Sequence, residues 1–134
     1  MLIGVPEEIK NNEFRVGMTP ESVAEAVYHG HEVMVETRAG LGIDATDDHF
    51  RQAGAKIVKT AEEVFVKADM VVKVKEPQAG ERKMLREDQL LFAYLHLAPD
   101  PEQTKDLVKS GAICIAYETV TDTHGGLPLL APMS

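Results

Sequence analysis

Residues 90–101 read LLFAYLHLAPDP, and this stretch joins an apolar strand to a capped helix. Leu90–Leu95 is a continuous apolar run, as in strands that are buried on both faces of a parallel sheet. Asp100 then offers a side-chain cap to a helix that begins at Pro101, a residue favoured in the first helical turn. His96 stands between the two elements, at the carboxyl end of the strand, where open α/β sheets bind their ligands.

The same alternation of short apolar runs and helix-like segments continues through the whole chain. We expect strands at Leu2–Val5, Glu32–Glu36, Lys56–Val58, Asp69–Lys73, Leu90–Leu95 and Ala112–Tyr117. We expect helices at Pro20–His29, Asp47–Ala53, Ala61–Lys67, Ala79–Arg86 and Pro101–Lys109. The pattern predicts a three-layer α/β fold, with a mostly parallel sheet covered by helices on both faces, of the flavodoxin-like or Rossmann-like kind.

Composition restricts the class of partner. The chain has 134 residues, 44% hydrophobic and 27% charged, which is typical of one soluble globular domain. A formal net charge of −8 argues against a nucleic-acid partner and against a polybasic membrane anchor. The single cysteine, Cys114, lies in an apolar run, which predicts an inert core thiol and a reducing, cytoplasmic setting. We find neither a signal peptide nor an apolar run of membrane-spanning length.

A glycine motif invites a nucleotide-binding interpretation. Residues Gly40–Ala45 match the loose dinucleotide fingerprint G-x-G-x-x-A and follow a predicted strand. Loop residues intervene before the next helix, however, and the strand Lys56–Val58 leads into Lys59 and Thr60, where an acidic ribose ligand is expected. A tight turn that needs glycines explains the motif better.

The cationic candidates each admit a functional and a structural interpretation. Arg15 precedes a helix start and could bind a carboxylate through its guanidinium fork, or pair at the surface with Glu13 or Glu21. Taken alone, the surface pair is the commoner fate of an arginine. Lys73 and Lys75 alternate onto one face of a strand end, where they could bind a carbonyl or carboxylate, or protect a sheet edge.

His96 is by itself balanced between a packed core histidine and a site residue. Tyr94, two residues earlier, would share its strand face. Asp100 and Glu118 are candidate carboxylates to orient the imidazole, but the sequence does not place them in space.

Several segments run in order over the whole chain and together carry one signal. They are Ile3–Lys10, Glu13–Val16, Thr19–Pro20, Ala39–Gly42, Ala53–Ala55, Val72–Pro77, Leu95–Ala98, Tyr117–Val120 and Leu127–Ser134. Taken together, these segments resemble the alanine dehydrogenase family, within a wider group that includes the N-terminal part of the proton-translocating transhydrogenase α subunit. The resemblance implies that His96 separates the two, since transhydrogenase relatives lack a histidine in the matching strand. It also implies that the glycine pair belongs to the substrate domain and not to the nucleotide fingerprint.

The resemblance implies an enzyme that interconverts L-alanine and pyruvate plus ammonium, with NAD as its cofactor. It implies that His96 is the acid/base and that Arg15 and Lys75 hold the pyruvate carboxylate and carbonyl. Physical chemistry agrees, because reductive amination needs a group that titrates near neutrality. A small oxo-acid anion also needs cations to offset its desolvation and to fix its carbonyl for attack.

The remaining implications concern the edges of the site and the assembly. Tyr94, Leu130 and Met133 would line the substrate site, and Ser134 would approach the cofactor. No metal site is expected. Family members are homo-hexamers, so the resemblance implies a homo-oligomer acting on a small molecule in the cytoplasm.

Full-length members of the family continue with a complete nucleotide-binding domain and with C-terminal helices. We therefore expect residues 1–134 to be the N-terminal segment of a substrate domain, without a nucleotide-binding domain. On that expectation the chain alone does not turn over alanine, and an uncovered apolar sheet face leads it to self-associate. The alternatives are a stand-alone oxo-acid-binding or regulatory module, and a domain of a transhydrogenase-like or saccharopine-forming dehydrogenase.

Overall fold

One parallel sheet organises the computed structural model, which describes residues 1–133. Every strand pair in that sheet is parallel, and the strand order is β3-β2-β1-β4-β5-β6. The predicted three-layer α/β fold is confirmed, and the order is the one typical of Rossmann-like domains. The strands are β1 (Leu2–Val5), β2 (Glu32–Glu36), β3 (Lys56–Val58), β4 (Met70–Val72), β5 (Leu90–Ala93) and β6 (Ile113–Ala116).

The helices that connect these strands begin where the sequence predicts them. They are α1 (Pro20–Tyr28), α2 (Asp47–Gln52), α3 (Ala61–Lys67), α4 (Ala79–Arg82) and α5 (Pro101–Ser110). Side-chain caps start four of them. Thr19 accepts from the Ser22 amide and Asp100 from the Gln103 amide, and the hydroxyls of Thr46 and Thr60 cap α2 and α3 in the same way. The expected extension of α4 to Arg86 is wrong: the Met84 and Leu85 amides bond three residues back, in turns that do not continue the helix.

Alternate residues of β2 face opposite sides of the sheet, as a strand period of two requires. Val33 and Val35 pack in one core with Phe50 of α2, whereas Met34 packs on the other face with Val64 of α3. Phe50 is fully buried, and such a side chain contributes about 1.5–3 kcal/mol of transfer free energy. Helices therefore cover both faces of this half of the sheet.

The strand order places a topological switch point between β1 and β4. From β1 the chain builds outward through β2 and β3, and then crosses to β4 on the other side of β1. Ligands of such sheets bind in the crevice outside the carboxyl ends of the strands at this point. The segments that follow β1, β4 and β5 carry Arg15, Lys75 and His96, so the topology brings the candidate residues to one edge.

No helix within residues 1–133 combines the length and apolarity that a membrane crossing requires.

Strand β6 lies at the edge of the sheet and presents an apolar face to solvent. Ile113 and Ile115 are 50% and 40% exposed. Cys114, expected in the core, is instead half-buried, because β6 has a neighbour on one side only. Burial raises the pKa of its thiol, which agrees with the prediction that this cysteine is inert.

The exposed face of β6 is the surface on which the predicted self-association depends. We expect the light-scattering mass of the chain to rise with concentration, because adjacent exposed isoleucines favour association. Ile115→Lys should abolish that rise, since it places a charge in the middle of the face. A constant monomer mass at high concentration would contradict the prediction.

Candidate functional site

Three of the predicted site residues form one row at the carboxyl edge of the sheet. Lys75 Nζ lies 4.7 Å from the centroid of the Tyr94 ring, a cation–π contact. The Tyr94 ring stacks on the His96 imidazole, with centroids 5.6 Å apart and planes 13° apart. The Tyr94 hydroxyl lies 3.1 Å from His96 Nδ1, within hydrogen-bond distance. The expectation that Tyr94 and His96 share a face is confirmed.

His96 adopts an unusual backbone conformation at the end of this row. Its side chain is exposed and its φ is +48°, in the left-handed region that costs a non-glycine residue about 1–2 kcal/mol. Glu118 holds this turn, because its carboxylate accepts the Leu95 amide at 3.2 Å and the His96 amide at 2.6 Å. Asp100 caps α5 instead of approaching the ring, and Tyr94 is the group that contacts the imidazole.

Arg15 is paired with Glu13, as the structural interpretation of the sequence proposed. Its Nε donates to Glu13 Oε2 at 2.9 Å and its Nη2 to Oε1 at 2.7 Å. The Arg15 hydrogen bond lowers the pKa of the Glu13 carboxyl, and the Lys75 charge adds to that effect. The Glu13 carboxylate therefore interacts with the positive charges of both Arg15 and Lys75. The Arg15 side chain remains 45% exposed, so its guanidinium is accessible.

A cavity of about 300 Å³ opens beside Arg15. Met133 and Tyr117 line it, as do Ile43 and Val74. Leu130 is half-buried, and its carbonyl accepts the Met133 amide at 2.9 Å, but it is not among the residues that line this cavity. The predicted cofactor contact, Ser134, lies outside the described residues.

Tyr117 lines the cavity beside Arg15, although it is not among the site residues predicted from the sequence. Its ring packs edge-on against Phe92, with centroids 4.2 Å apart. Burial, and then the charge of Glu8, raise the pKa of the Tyr117 phenol above its usual range. The hydroxyl therefore stays protonated at neutral pH. An aromatic residue just after an apolar strand at the carboxyl edge was the available signal.

The surroundings of Lys73 differ from those of Lys75. Lys73 is 1% exposed, and its Nζ lies 3.1 Å from Glu8 Oε1 and 3.3 Å from Glu81 Oε2. The alternation of the sequence predicts that Lys73 and Lys75 share one face of a strand end, where they could bind a ligand or protect a sheet edge. Protection of a sheet edge is wrong for Lys73, because β4 is an interior strand. The Lys73 ammonium is enclosed by carboxylates, whereas Lys75 contacts the Tyr94 ring.

Glu8 is the residue that sets the position of Lys75. Its Oε2 accepts the Val74 amide and its Oε1 the Lys75 amide, each at 3.1 Å, while Lys73 supplies the balancing charge. The backbone that carries Lys75 is thus anchored to the segment after β1. A carboxylate just after one central strand and a lysine at the end of its neighbour was the signal in the sequence.

The glycines of the Gly40–Ala45 motif allow neighbouring atoms to pack closely against the backbone. A Cβ on Gly42 would lie 2.0 Å from the Phe14 carbonyl oxygen, and one on Gly40 would lie 2.5 Å from the Phe50 ring. Both are therefore positions of close approach, which confirms the expectation of a tight turn that needs glycines. Because Phe14 precedes Arg15, the motif supports the segment that carries the arginine.

The described residues do not fit a dinucleotide at the switch point. In a nucleotide-binding βαβ unit the helix follows the first strand at once, and its N-terminus faces the pyrophosphate. Here β1 ends at Val5 and α1 begins only at Pro20, and the segment between them carries Glu7, Glu8 and Glu13. Directly after β1 the described part of the chain thus offers no helix N-terminus to a pyrophosphate. Within residues 1–133, no group of three His, Cys, Asp or Glu side chains is arranged to hold a metal ion.

Comparison with known proteins agrees with this geometry. The family described as "Alanine dehydrogenase/PNT, N-terminal domain" matches residues 4–134. The chain belongs to this family. It is 54% identical over 134 residues to the alanine dehydrogenase of Methanococcus maripaludis and 52% identical to that of Mycobacterium tuberculosis. In both cases the whole chain is covered, and it spans 36% of the relative's length.

Solved structures give the same result. An L-alanine dehydrogenase superposes with a TM-score of 0.96 at 51% identity, covering 99% of this chain and 37% of that one. A transhydrogenase from Sinorhizobium meliloti superposes with a TM-score of 0.86 at 28% identity, covering 92% of this chain and 35% of that one. Within the alanine dehydrogenase/PNT family the chain is therefore more similar to these alanine dehydrogenases than to this transhydrogenase.

Proposed function

We propose that this chain supplies the substrate side of an NAD-dependent alanine dehydrogenase. The proposed reaction converts L-alanine, NAD⁺ and water into pyruvate, ammonium, NADH and a proton, and it is reversible. The observation that carries the proposal is the row of Lys75, Tyr94 and His96 at the carboxyl edge of the sheet. Identity above 50% to alanine dehydrogenases over the whole chain supports it.

Arg15 is the proposed ligand of the substrate carboxylate. Its fork is occupied by Glu13 in the absence of substrate, so a bound carboxylate competes for the same donors or uses the remaining N–H groups. The Arg15 side chain is 45% exposed, so its remaining N–H groups are accessible to a carboxylate. Lys75 is the proposed ligand of the carbonyl oxygen, held in place by its contact with Tyr94 and by the bond from its amide to Glu8.

His96 is the proposed proton-transfer group. When the Tyr94 hydroxyl donates to Nδ1, the proton of the neutral ring lies on Nε2. As the imidazolium, His96 can donate the Nε2 proton to the oxygen that leaves the carbinolamine as water. The ring is then neutral, with its remaining proton on Nδ1 toward the Tyr94 oxygen, and Nε2 can take a proton back in the reverse direction. These residues bind, orient and protonate the substrate. The hydride step belongs to the nicotinamide, and no described residue has a part in it.

Arg15→Ala tests the proposal through pyruvate binding to the chain. We expect the Kd for pyruvate to rise about 10- to 100-fold, because a hydrogen bond to a charged group contributes about 1.5–3 kcal/mol. Arg51→Ala is the matched control, since Arg51 forms an exposed pair with Asp48 on α2, and its affinity should equal that of the parent. Isothermal titration calorimetry gives both constants.

Two outcomes of that titration would contradict the proposal. Unchanged affinity in Arg15→Ala removes the role assigned to the guanidinium. Equal losses in Arg15→Ala and Arg51→Ala would indicate a general charge effect and not a site.

A further inference from the structure

Hydrogen bonds to three different residues fix the backbone of residues 94–96. The Tyr94 amide donates to the Val74 carbonyl at 3.1 Å, as in a continued strand ladder. The Leu95 carbonyl accepts Nε2 of Gln103, a fully buried side chain, at 3.0 Å. The next two amides, those of Leu95 and His96, both donate to Glu118.

Beyond the end of β6, the Glu118 carboxylate accepts hydrogen bonds that a strand carbonyl would otherwise accept. Ala93 and Ala116 form the last paired register between β5 and β6, and the chain then turns into a 3₁₀ helix at Tyr117–Thr119. The Leu95 and His96 amides, unlike that of Tyr94, consequently bond a side chain and not a strand carbonyl. The Glu118 carboxylate supplies the acceptor, and His96 adopts its left-handed φ directly after the amide that this carboxylate holds.

We propose that Glu118 is a positioning residue for His96. The carboxylate fixes the left-handed turn, and the turn sets the direction in which the imidazole leaves the backbone, so that Nδ1 meets the Tyr94 hydroxyl. Without the carboxylate, His96 relaxes toward a negative φ and the ring leaves Tyr94. The consequence for proton transfer rests on the proposed function, whereas the ring geometry itself does not.

A merely structural role for Glu118 makes a different prediction. If the carboxylate only satisfied two amides, its removal would lower stability and leave the ring's environment unchanged. The chemical shifts of the His96 ring nitrogens therefore distinguish a positioning role from a structural one. Nuclear magnetic resonance of the chain labelled with ¹⁵N-histidine measures those nitrogens and the His96 amide in one sample, without pyruvate.

In the parent chain we expect a downfield-shifted His96 amide proton that exchanges slowly, as a 2.6 Å charge-assisted bond requires. We expect the neutral ring to carry its proton mainly on Nε2. In Glu118→Ala the amide should exchange about 100-fold faster, and the ring nitrogens should move toward the tautomer mixture of free imidazole. Glu118→Gln keeps an acceptor oxygen without the charge and should fall between the two.

Asp122→Ala is the matched control. The Asp122 carboxylate also accepts two backbone amides, those of His124 and Gly126, each at 2.8 Å. Its removal is the same chemical change at another turn, so the His96 ring nitrogens should stay at their parent values.

The proposal is overturned if Glu118→Ala folds cooperatively and keeps the parent tautomer at His96. If that variant does not fold, the same measurements on the parent chain and on Glu118→Gln test the proposal. A parent His96 amide that exchanges like an unprotected loop amide, or a Glu118→Gln spectrum identical to the parent, would overturn it. Because pyruvate is absent from these samples, a failed pyruvate titration leaves the result standing, and a failed ring measurement leaves the binding proposal standing.

Discussion

Lys73→Met is expected to lower the free energy of unfolding by about 3–5 kcal/mol, the usual cost of removing one partner from a buried ion pair. Lys73 is the ammonium between Glu8 and Glu81, and the exposed fractions of the three side chains are only 1–2%. Methionine fills a similar volume, so the loss is electrostatic and not the result of a cavity. Two carboxylates would remain enclosed without a counter-charge, and water cannot reach them.

The cost should depend on pH in a direction that follows from Glu81. Burial raises the pKa of the Glu81 carboxyl, and the Lys73 charge opposes that rise. Removing Lys73 therefore raises the pKa of Glu81 further, and also that of Glu36, which burial already raises and Lys73 lowers.

A carboxyl whose pKa is higher in the folded chain binds protons more tightly there than in the unfolded chain. The free energy of unfolding then falls as pH rises from the unfolded pKa, about 4.3 for Glu, through the folded pKa. The deficit of Lys73→Met relative to the parent should accordingly be larger at about pH 8 than at about pH 5.

Urea denaturation of parent and variant at both pH values measures this deficit. Lys67→Met is the matched control, because Lys67 pairs with Glu63 across one helical turn at the surface, and its loss should cost about 0.5 kcal/mol or less. Adding Glu81→Gln to Lys73→Met should recover part of the stability, since it removes one buried negative charge. A deficit below about 1 kcal/mol that is independent of pH would contradict the electrostatic account.

The fold was accessible from sequence because its signals are local. Strands β1, β2 and β3 and helix α3 have the bounds that the apolar runs and caps predict. Helix α4 is shorter than predicted because the chain continues there in turns, and strand β5 is shorter because a neighbouring element decides where it ends. The prediction for β5 runs to Leu95, but β6 stops at Ala116 and a side chain replaces the strand as partner. The sequence of one strand does not specify where the neighbouring strand ends.

The candidate site was only partly accessible for the same reason. Lys73 and Lys75 look equivalent in the sequence, and their difference depends on Glu8, which lies more than 60 residues away along the chain. The position of Glu118 under the His96 turn likewise depends on where β6 ends. The family resemblance named the residues that are proposed to face the substrate, but the side chains that hold them follow from the three-dimensional contacts.

Gly42→Ala is expected to lower the free energy of unfolding by about 3 kcal/mol, the upper end of the usual cost of over-packing. The added Cβ would lie 2.0 Å from the Phe14 carbonyl oxygen and 2.8 Å from its carbon. Both are backbone atoms, so no side-chain rotation can relieve the clash. Either the Gly40–Ile43 turn or the segment that carries Phe14 and Arg15 must move.

That movement gives the substitution a second effect, which separates it from ordinary destabilisation. A displaced Phe14 shifts Arg15 and weakens pyruvate binding even at temperatures where the variant is fully folded. Gly80→Ala is the matched control, since a Cβ at Gly80 meets nothing within 4 Å and the residue lies inside helix α4, where alanine is favoured by about 1 kcal/mol. Chemical denaturation and a pyruvate titration of both variants check the argument. If Gly42→Ala is as stable as Gly80→Ala, the turn is free to shift. If it is destabilised but binds pyruvate like the parent, the turn does not set the position of Arg15.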